Sequence, residues 1–263
     1  MKTNKTAHQR PVVMVIGGQD PSGGAGLQAD IESIMAAGCH AVTVLTAVTV
    51  QDSASVADFM VMEPELVLAQ MKTVMADFPI AAVKTGMMGS AGNIAAVSDW
   101  LKQNSKAPLV VDPVLASNEG DRLAIDDLVP AYREKLLPIA TIATPNSEEL
   151  ERLAPAAKGQ SKAAAELLAL GCDHVLVTGG HGKTGKIHNR LYSRNGKTSE
   201  MSWPRLAHEY HGSGCTLASA AAAQLALGEK VKPALTIAQA YTYQALVKGE
   251  RLGKGQWIPF RKS

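Results

Sequence analysis

The chain has 263 residues, 46% hydrophobic and 19% charged, with a formal net charge of +2. That balance describes a globular protein with a sizeable core, and the scattered Lys and Arg residues exclude the basic stripe of a nucleic-acid binder, leaving a small molecule as the expected partner. Cys39, Cys172 and Cys215 lie far apart with no Cys-x-x-Cys pair, which excludes a disulfide framework and argues against structural zinc.

Residues 1–10 are polar and basic and are expected to fray, and the apolar run after them is too short for a membrane span, so a cytoplasmic protein with a single domain over 11–263 is expected. Short apolar runs then alternate with helical patterns. Val12–Ile16, Ala41–Val50, Ile80–Val83, Leu109–Asp112, Ile139–Thr144 and His174–Val177 read as strands, most of them apolar on both faces. Leu27, Ile31, Ile34 and Met35 mark one helical face ending at Gly38, and similar patterns cover about 64–77, 91–104, 121–137 and 160–170. Arg194-Asn-Gly-Lys197 places a β-hairpin over Asn189–Trp203, and two helices follow, from about Cys215 to Leu227 and from Pro233 to near Gly249. The expected fold is a mainly parallel sheet with helices on both faces.

In such sheets ligands gather at the carboxyl ends of the strands. The residues there form a polar, glycine-rich set: Gly17–Gly26, Gln51–Ser53, Lys84–Gly89, Asp112–Val114, Thr144–Glu149 and Thr178–His181. The first of these loops has five glycines with Asp20 and Ser22, yet carries no Gly-x-Gly-x-x-Gly in register at the strand end, so it is not a dinucleotide fingerprint. Gly182-Lys-Thr184 is not a Walker A motif either, because Val177 stands where its first glycine belongs. Asn146 and Glu149 admit two readings, a helix capping box or a pair that orders hydrated magnesium. His40, His174 and His208 show no metal-ligand spacing.

His211-Gly-Ser-Gly-Cys-Thr216 runs straight into the small-residue stretch Leu217–Leu225. Backbone N–H groups and the positive end of a helix dipole would converge there, making an anion site with a thiol inside it. A glycine turn capped by Ser213, followed by a core helix with a buried cysteine, is the competing reading.

Taken together, Asp20-Pro-Ser-Gly-Gly-Ala-Gly-Leu-Gln-Ala-Asp30, Gln51, Lys84-Thr-Gly-Met87, Asp112-Pro-Val114, Thr144-Pro-Asn146, Gly179-Gly-His181 and His211-Gly-Ser-Gly-Cys215 resemble the hydroxymethylpyrimidine/phosphomethylpyrimidine kinases of thiamine biosynthesis, in the ribokinase-like superfamily. The resemblance implies a three-layer α/β/α sandwich, ATP with Mg²⁺, and phosphorylation of 4-amino-5-hydroxymethyl-2-methylpyrimidine and then of its monophosphate. It implies a pyrimidine pocket of Gly18, Asp30, Gln51, Met87 and Val114, with Asp30 and Gln51 pairing with the aminopyrimidine edge. Gly212, Ser213 and Gly214 would form the anion hole. Cys215 would be the base, its pKa lowered at the helix N-terminus.

Asn146, Thr178 and Lys183 are the residues expected at the nucleotide, and Asp112 and Glu149 those expected at magnesium. A homodimer is implied as well.

The sequence departs from the family in three places. Gln51-Asp52-Ser53 replaces Gln-Asn-Thr, Ser117-Asn118 lacks the usual lysine, and Thr178 stands where lysine precedes Gly-Gly-His. The lost cations bear on the second phosphorylation more than the first. A pyridoxine or pyridoxal kinase of the same family is the alternative, and a regulatory binding protein on this scaffold is a further one.

Overall fold

The computed structural model describes residues 9–115, 125–179 and 185–262, with the backbone alone at 125 and 126. The elements in chain order are β1 (Val12–Gln19), α1 (Gly26–Ala36), β2 (His40–Gln51), β3 (Val56–Val61), α2 (Pro64–Asp77), β4 (Ile80–Thr85), α3 (Ala91–Asn104) and β5 (Leu109–Val111). They continue with α4 (Ile125–Ala131), β6 (Ile142–Ala143), α5 (Ser147–Leu153), α6 (Gln160–Leu170), β7 (His174–Val177), β8 (Lys186–Ser193), β9 (Thr198–Pro204), α7 (Ser213–Ala226) and α8 (Val231–Val247). The frayed start falls mostly on residues outside those described, as do Lys183 and the Ser117-Asn118 segment.

One sheet runs in the order β3-β2-β1-β4-β5-β6-β7-β8-β9. The strands from β2 to β7 in that order are parallel; β3 pairs antiparallel with β2 at one end, and at the other β8 pairs antiparallel with both β7 and β9. Alternation along the strands divides the core between two faces. Val12, Met14 and Ile16 of β1 join one apolar cluster, with Val67 and Met71 of α2, Ile94 and Val97 of α3 and Leu167 of α6. Val13 and Val15 join the other, with Ile34 of α1, Ala218 to Ala223 of α7 and Leu235 of α8. This is the expected three-layer sandwich.

Because the parallel strands are covered on both sides, their sequences are mostly apolar, as in Val12–Ile16 of β1 and Leu109–Val111 of β5. The alanines of α7, from Ala220 to Ala223 at most 3% exposed, let that helix lie close to the sheet and to α8.

Several expected boundaries move for local reasons. The strand expected over Ile139–Thr144 shrinks to Ile142–Ala143, because Pro138 sits in a 3₁₀ turn over Leu137–Ile139 and Pro145 follows Thr144. The helix expected over 121–137 is described from Ile125 and widens into a π turn over Tyr132–Leu136, just after Pro130. The hairpin is longer than Asn189–Trp203, spanning Lys186–Pro204 around a turn at Gly196.

Gly17 and Gly18 belong to β1 rather than to the loop. In α1 the buried residues are Ala29, Asp30, Ser33 and Ile34, while Met35 is exposed. Small side chains on that face allow close approach, and the Cys39 thiol reaches the Ala223 carbonyl of α7 at 3.6 Å. The edge strand β3, with its half-polar sequence Val-Ala-Asp-Phe-Met-Val, was not anticipated. No helix among the described residues is long and apolar enough to cross a membrane.

Candidate active site

β1 pairs with β2 on one side and β4 on the other, all parallel, so the strand order reverses at β1. A crevice opens outside the carboxyl ends of strands at such a switch point. The glycine loop after β1, the segment after β4, Asp112 after β5 and the first turn of α7 all belong to it.

The glycine loop is organised by one carboxylate. Asp20 accepts hydrogen bonds from the backbone N–H groups of Ser22 at 2.8 Å and Ala25 at 2.7 Å, and its Oδ2 lies 2.7 Å from His211 Nε2. Burial alone would raise the pKa of Asp20, but the bonds from His211, Ser22 and Ala25 outweigh it and lower the value to about 2. Gly26 has φ +58, and a Cβ there would strike the Gly18 carbonyl oxygen.

Gly212, at φ +80, is the N-cap of α7, and no side chain caps the helix. Ser213 is the first helical residue rather than the cap. Among the described residues no side chain caps the first-turn amides, as an anion site requires. A Cβ on Gly214 would lie 3.8 Å from Asp112 Oδ1, which places the helix start directly against that carboxylate.

Beneath this turn lies a buried charged cluster. Lys84, 1% exposed, donates to Asp30 Oδ1 at 2.9 Å and sits 3.9 Å from Asp112 Oδ2. Ser219 of α7 also donates to Asp30 Oδ1, at 2.6 Å. Burial would lower the lysine pKa, yet Asp30, Cys215 and Asp112 together hold it above its ordinary value. Burial pushes Asp112 up, against the pull of Lys84.

Asp30, expected at the aminopyrimidine edge, is 1% exposed, with Oδ1 held by Lys84 and Ser219 and Oδ2 without a hydrogen-bond partner among the described residues. One expectation is corrected here. Cys215 does not have a lowered pKa. Its residue is partly exposed, but the thiol is enclosed beside Asp112 and the Gly26 N–H, and burial pushes it up to about 12, with Lys84 opposing and Asp112 and Asp30 reinforcing. Desolvation and two carboxylates outweigh the helix terminus.

The other expected residues fall into two groups. Gly18 and Met87 meet at the end of β1, where a Cβ on Gly18 would lie 3.1 Å from the Met87 sulfur. Half-buried Gln51 ends β2, and half-buried Val114 follows Asp112 in a tight turn. Asp52 is exposed and its Oδ1 accepts from the N–H groups of Ala54 and Ser55, so this departure from the family serves a turn and not the pocket.

Asn146 and Thr178, the residues expected at the nucleotide, are joined by a parallel bridge, and the Thr178 N–H donates to the Pro145 carbonyl at 3.0 Å. Asn146 and Glu149 complete the capping box, each side chain accepting from the other's N–H at 2.9 Å. Burial and the nearby Asp112 raise the Glu149 pKa. The buried Asp112 and the half-buried Glu149, two carboxylates that repel each other, suit a hard divalent cation. Among the described residues no three His, Cys, Asp or Glu side chains form a metal cage.

Sequence reasoning missed two roles. Arg261, in the segment after α8, is 5% exposed and binds both the glycine loop and α7, with no motif to announce it. Lys84 stood out only as part of the Lys84-Thr-Gly-Met87 motif, and its burial between Asp30 and Asp112 gives it a structural task.

Fold and site together define a small-molecule kinase of the ribokinase-like class. A family model for phosphomethylpyrimidine kinase matches residues 20–259, and the chain belongs to that family. It is 40% identical over 253 residues to the hydroxymethylpyrimidine/phosphomethylpyrimidine kinase of Streptomyces coelicolor, covering 93% of this chain and 92% of the relative.

Among solved structures it is similar to pyridoxal kinase from Staphylococcus aureus in complex with AMP-PCP and pyridoxal, with TM-score 0.84 and 28% identity over 96% of this chain and 94% of the other. It is also similar to phosphomethylpyrimidine kinase from Clostridium difficile 630, with TM-score 0.75 and 31% identity over 90% and 100%.

Proposed function

We propose that the protein phosphorylates hydroxymethylpyrimidine, and then its monophosphate, at the hydroxymethyl side and the phosphate in turn, with ATP as donor. The observation that carries this reading is the uncapped first turn of α7, set against Asp112 and Cys215 at the switch point of a family-typical sheet.

Gly18, Met87, Gln51 and Val114 line the acceptor side in this reading. The amides of Gly212, Ser213 and Gly214 hold the negative charge that spreads over the transferring group. Cys215 takes the hydroxyl proton. Its thiol is held neutral in the ligand-free protein, so its own proton must first leave, to water or to the Asp112 carboxylate beside it, before the resulting thiolate accepts the proton of the hydroxyl.

Asn146 and Thr178 face the nucleotide, joined by Lys183 from outside the described residues, and Asp112 and Glu149 hold Mg²⁺. When bound, the ion neutralises phosphate charge and aligns the donor.

We place the protein in the cytoplasm and propose a homodimer. Val50 and Met60, 60% and 68% exposed at the β2–β3 edge, are apolar groups available for a second copy. Light scattering on the protein and on Met60→Lys checks this, and a monodisperse monomer contradicts it.

A pyridoxal kinase remains the second reading, favoured by the higher TM-score of the Staphylococcus aureus structure. An ADP-release assay offering the pyrimidine alcohol, its monophosphate and pyridoxal side by side decides between them. Turnover of both pyrimidines is expected, and turnover of pyridoxal alone overturns the proposal.

A further inference from the structure

A buried guanidinium must find acceptors for its five N–H groups, so the partners of Arg261 show what it was placed to hold. Its Nε donates to Thr216 Oγ1 at 2.8 Å. One terminal nitrogen donates to Glu32 Oε2 at 3.2 Å and to the Gly23 carbonyl at 3.4 Å, and the other to the Gly24 carbonyl. The backbone of Arg261 is itself anchored to α8, where Tyr241 donates to its carbonyl at 3.1 Å and the Phe260 N–H donates to Ala245.

These partners lie on the glycine loop and α1 at one side and on the first turn of α7 at the other. Thr216 Oγ1 passes the connection on to the Gly212 carbonyl at 2.8 Å. Gly24 packs so tightly on His211 and Gly212 that a Cβ on either glycine would collide with the opposite loop. The spacing between the glycine loop and the first turn of α7 is therefore fixed at one side by Asp20 and His211, and at the other by the planar fork of Arg261.

We propose that Arg261 is a positioning residue that sets this spacing and so aligns the α7 amides with the transferring phosphoryl group. The kinetic part of the inference rests on the kinase reading above. The structural part does not.

Arg261→Lys and Arg261→Met separate positioning from mere attachment of the last segment. A lysine keeps the charge and the stem but cannot bond Thr216 and both loop carbonyls at once. Both variants are expected to lose about tenfold or more in kcat with the pyrimidine KM nearly unchanged, because small misplacements at a reacting centre are costly.

Thr216→Val, which leaves Arg261 in place and is nearly isosteric, is expected to show the same split and covers the case in which the Arg261 variants do not fold. Hydrogen exchange followed by mass spectrometry supplies the readout independent of turnover. Residues 23–26 and 212–216 are expected to lose protection together while the strands keep theirs.

Unchanged exchange in both segments, or an Arg261→Lys enzyme with normal kcat, overturns the inference. If the unaltered protein phosphorylates nothing, the kinase reading fails and the exchange result alone decides the clamp.

Discussion

Asp20 and His211, 191 residues apart in sequence, meet with His211 Nε2 at 2.7 Å from Asp20 Oδ2. One carboxylate thereby shapes the glycine loop and ties it to the start of α7. Its pKa is lowered from 3.8 to about 2 in the folded protein, so its stabilising contribution is complete above its unfolded value and disappears as pH falls towards 2. Thermal melting of the protein and of Asp20→Asn across that range tests this. The variant is expected to be less stable at neutral pH, and the difference between the two should close on acidification.

Cys215→Ala is expected to reduce turnover by about 10²–10⁴-fold, the usual range for a positioned acid–base group, while the melting temperature stays close to that of the unaltered protein. The thiol, held up at about 12 in the ligand-free state, should also resist iodoacetamide at neutral pH. Near-normal turnover in the variant contradicts its role as proton acceptor.

Lys84 sits between Asp30 and Asp112 with 1% of its surface open. Removing the cation leaves buried carboxylate charge without compensation, a change that typically costs about 3–5 kcal/mol. Urea denaturation of Lys84→Met should show a loss of that size, and the double variant with Asp30→Asn should recover part of it. Equal midpoints for Lys84→Met and the unaltered protein would refute the account of the cluster.

Gly212→Ala meets two obstacles, a left-handed backbone and the Gly24 carbonyl in the path of the new Cβ. Gly228→Ala meets only the first, since φ is +91 there with nothing within 4 Å. The control should cost about 1–2 kcal/mol, the ordinary penalty for a left-handed L-residue, and leave kinase activity intact. Gly212→Ala should cost more and abolish turnover, as read by calorimetry and the ADP-release assay.

The layered fold was legible because both-faced strands such as Val12–Ile16 and one-sided helices leave strong periodic patterns. The edge strand β3 was not, since its outward residues mix Asp58 with Met60 and it pairs on one side only. Within the site, the motifs located the strand-end loops but not the direction of each side chain. Asp30 turns inward because Lys84 and Ser219 wait for it there, and neither neighbour is close in sequence. The position of Cys215 at a helix start suggested an acidic thiol, yet burial beside carboxylates decides its proton, and burial is a tertiary property.

The contacts of Arg261 also set a schedule. Ribosomes deliver Gly23 and Gly24 more than two hundred residues before the arginine that grips their carbonyls, so throughout translation the glycine loop waits without its second brace. The sheet can fold around it in the meantime. A nascent chain therefore has no aligned site to commit nucleotide to, and the enzyme becomes competent only when the segment after α8 closes onto the loop that was made first.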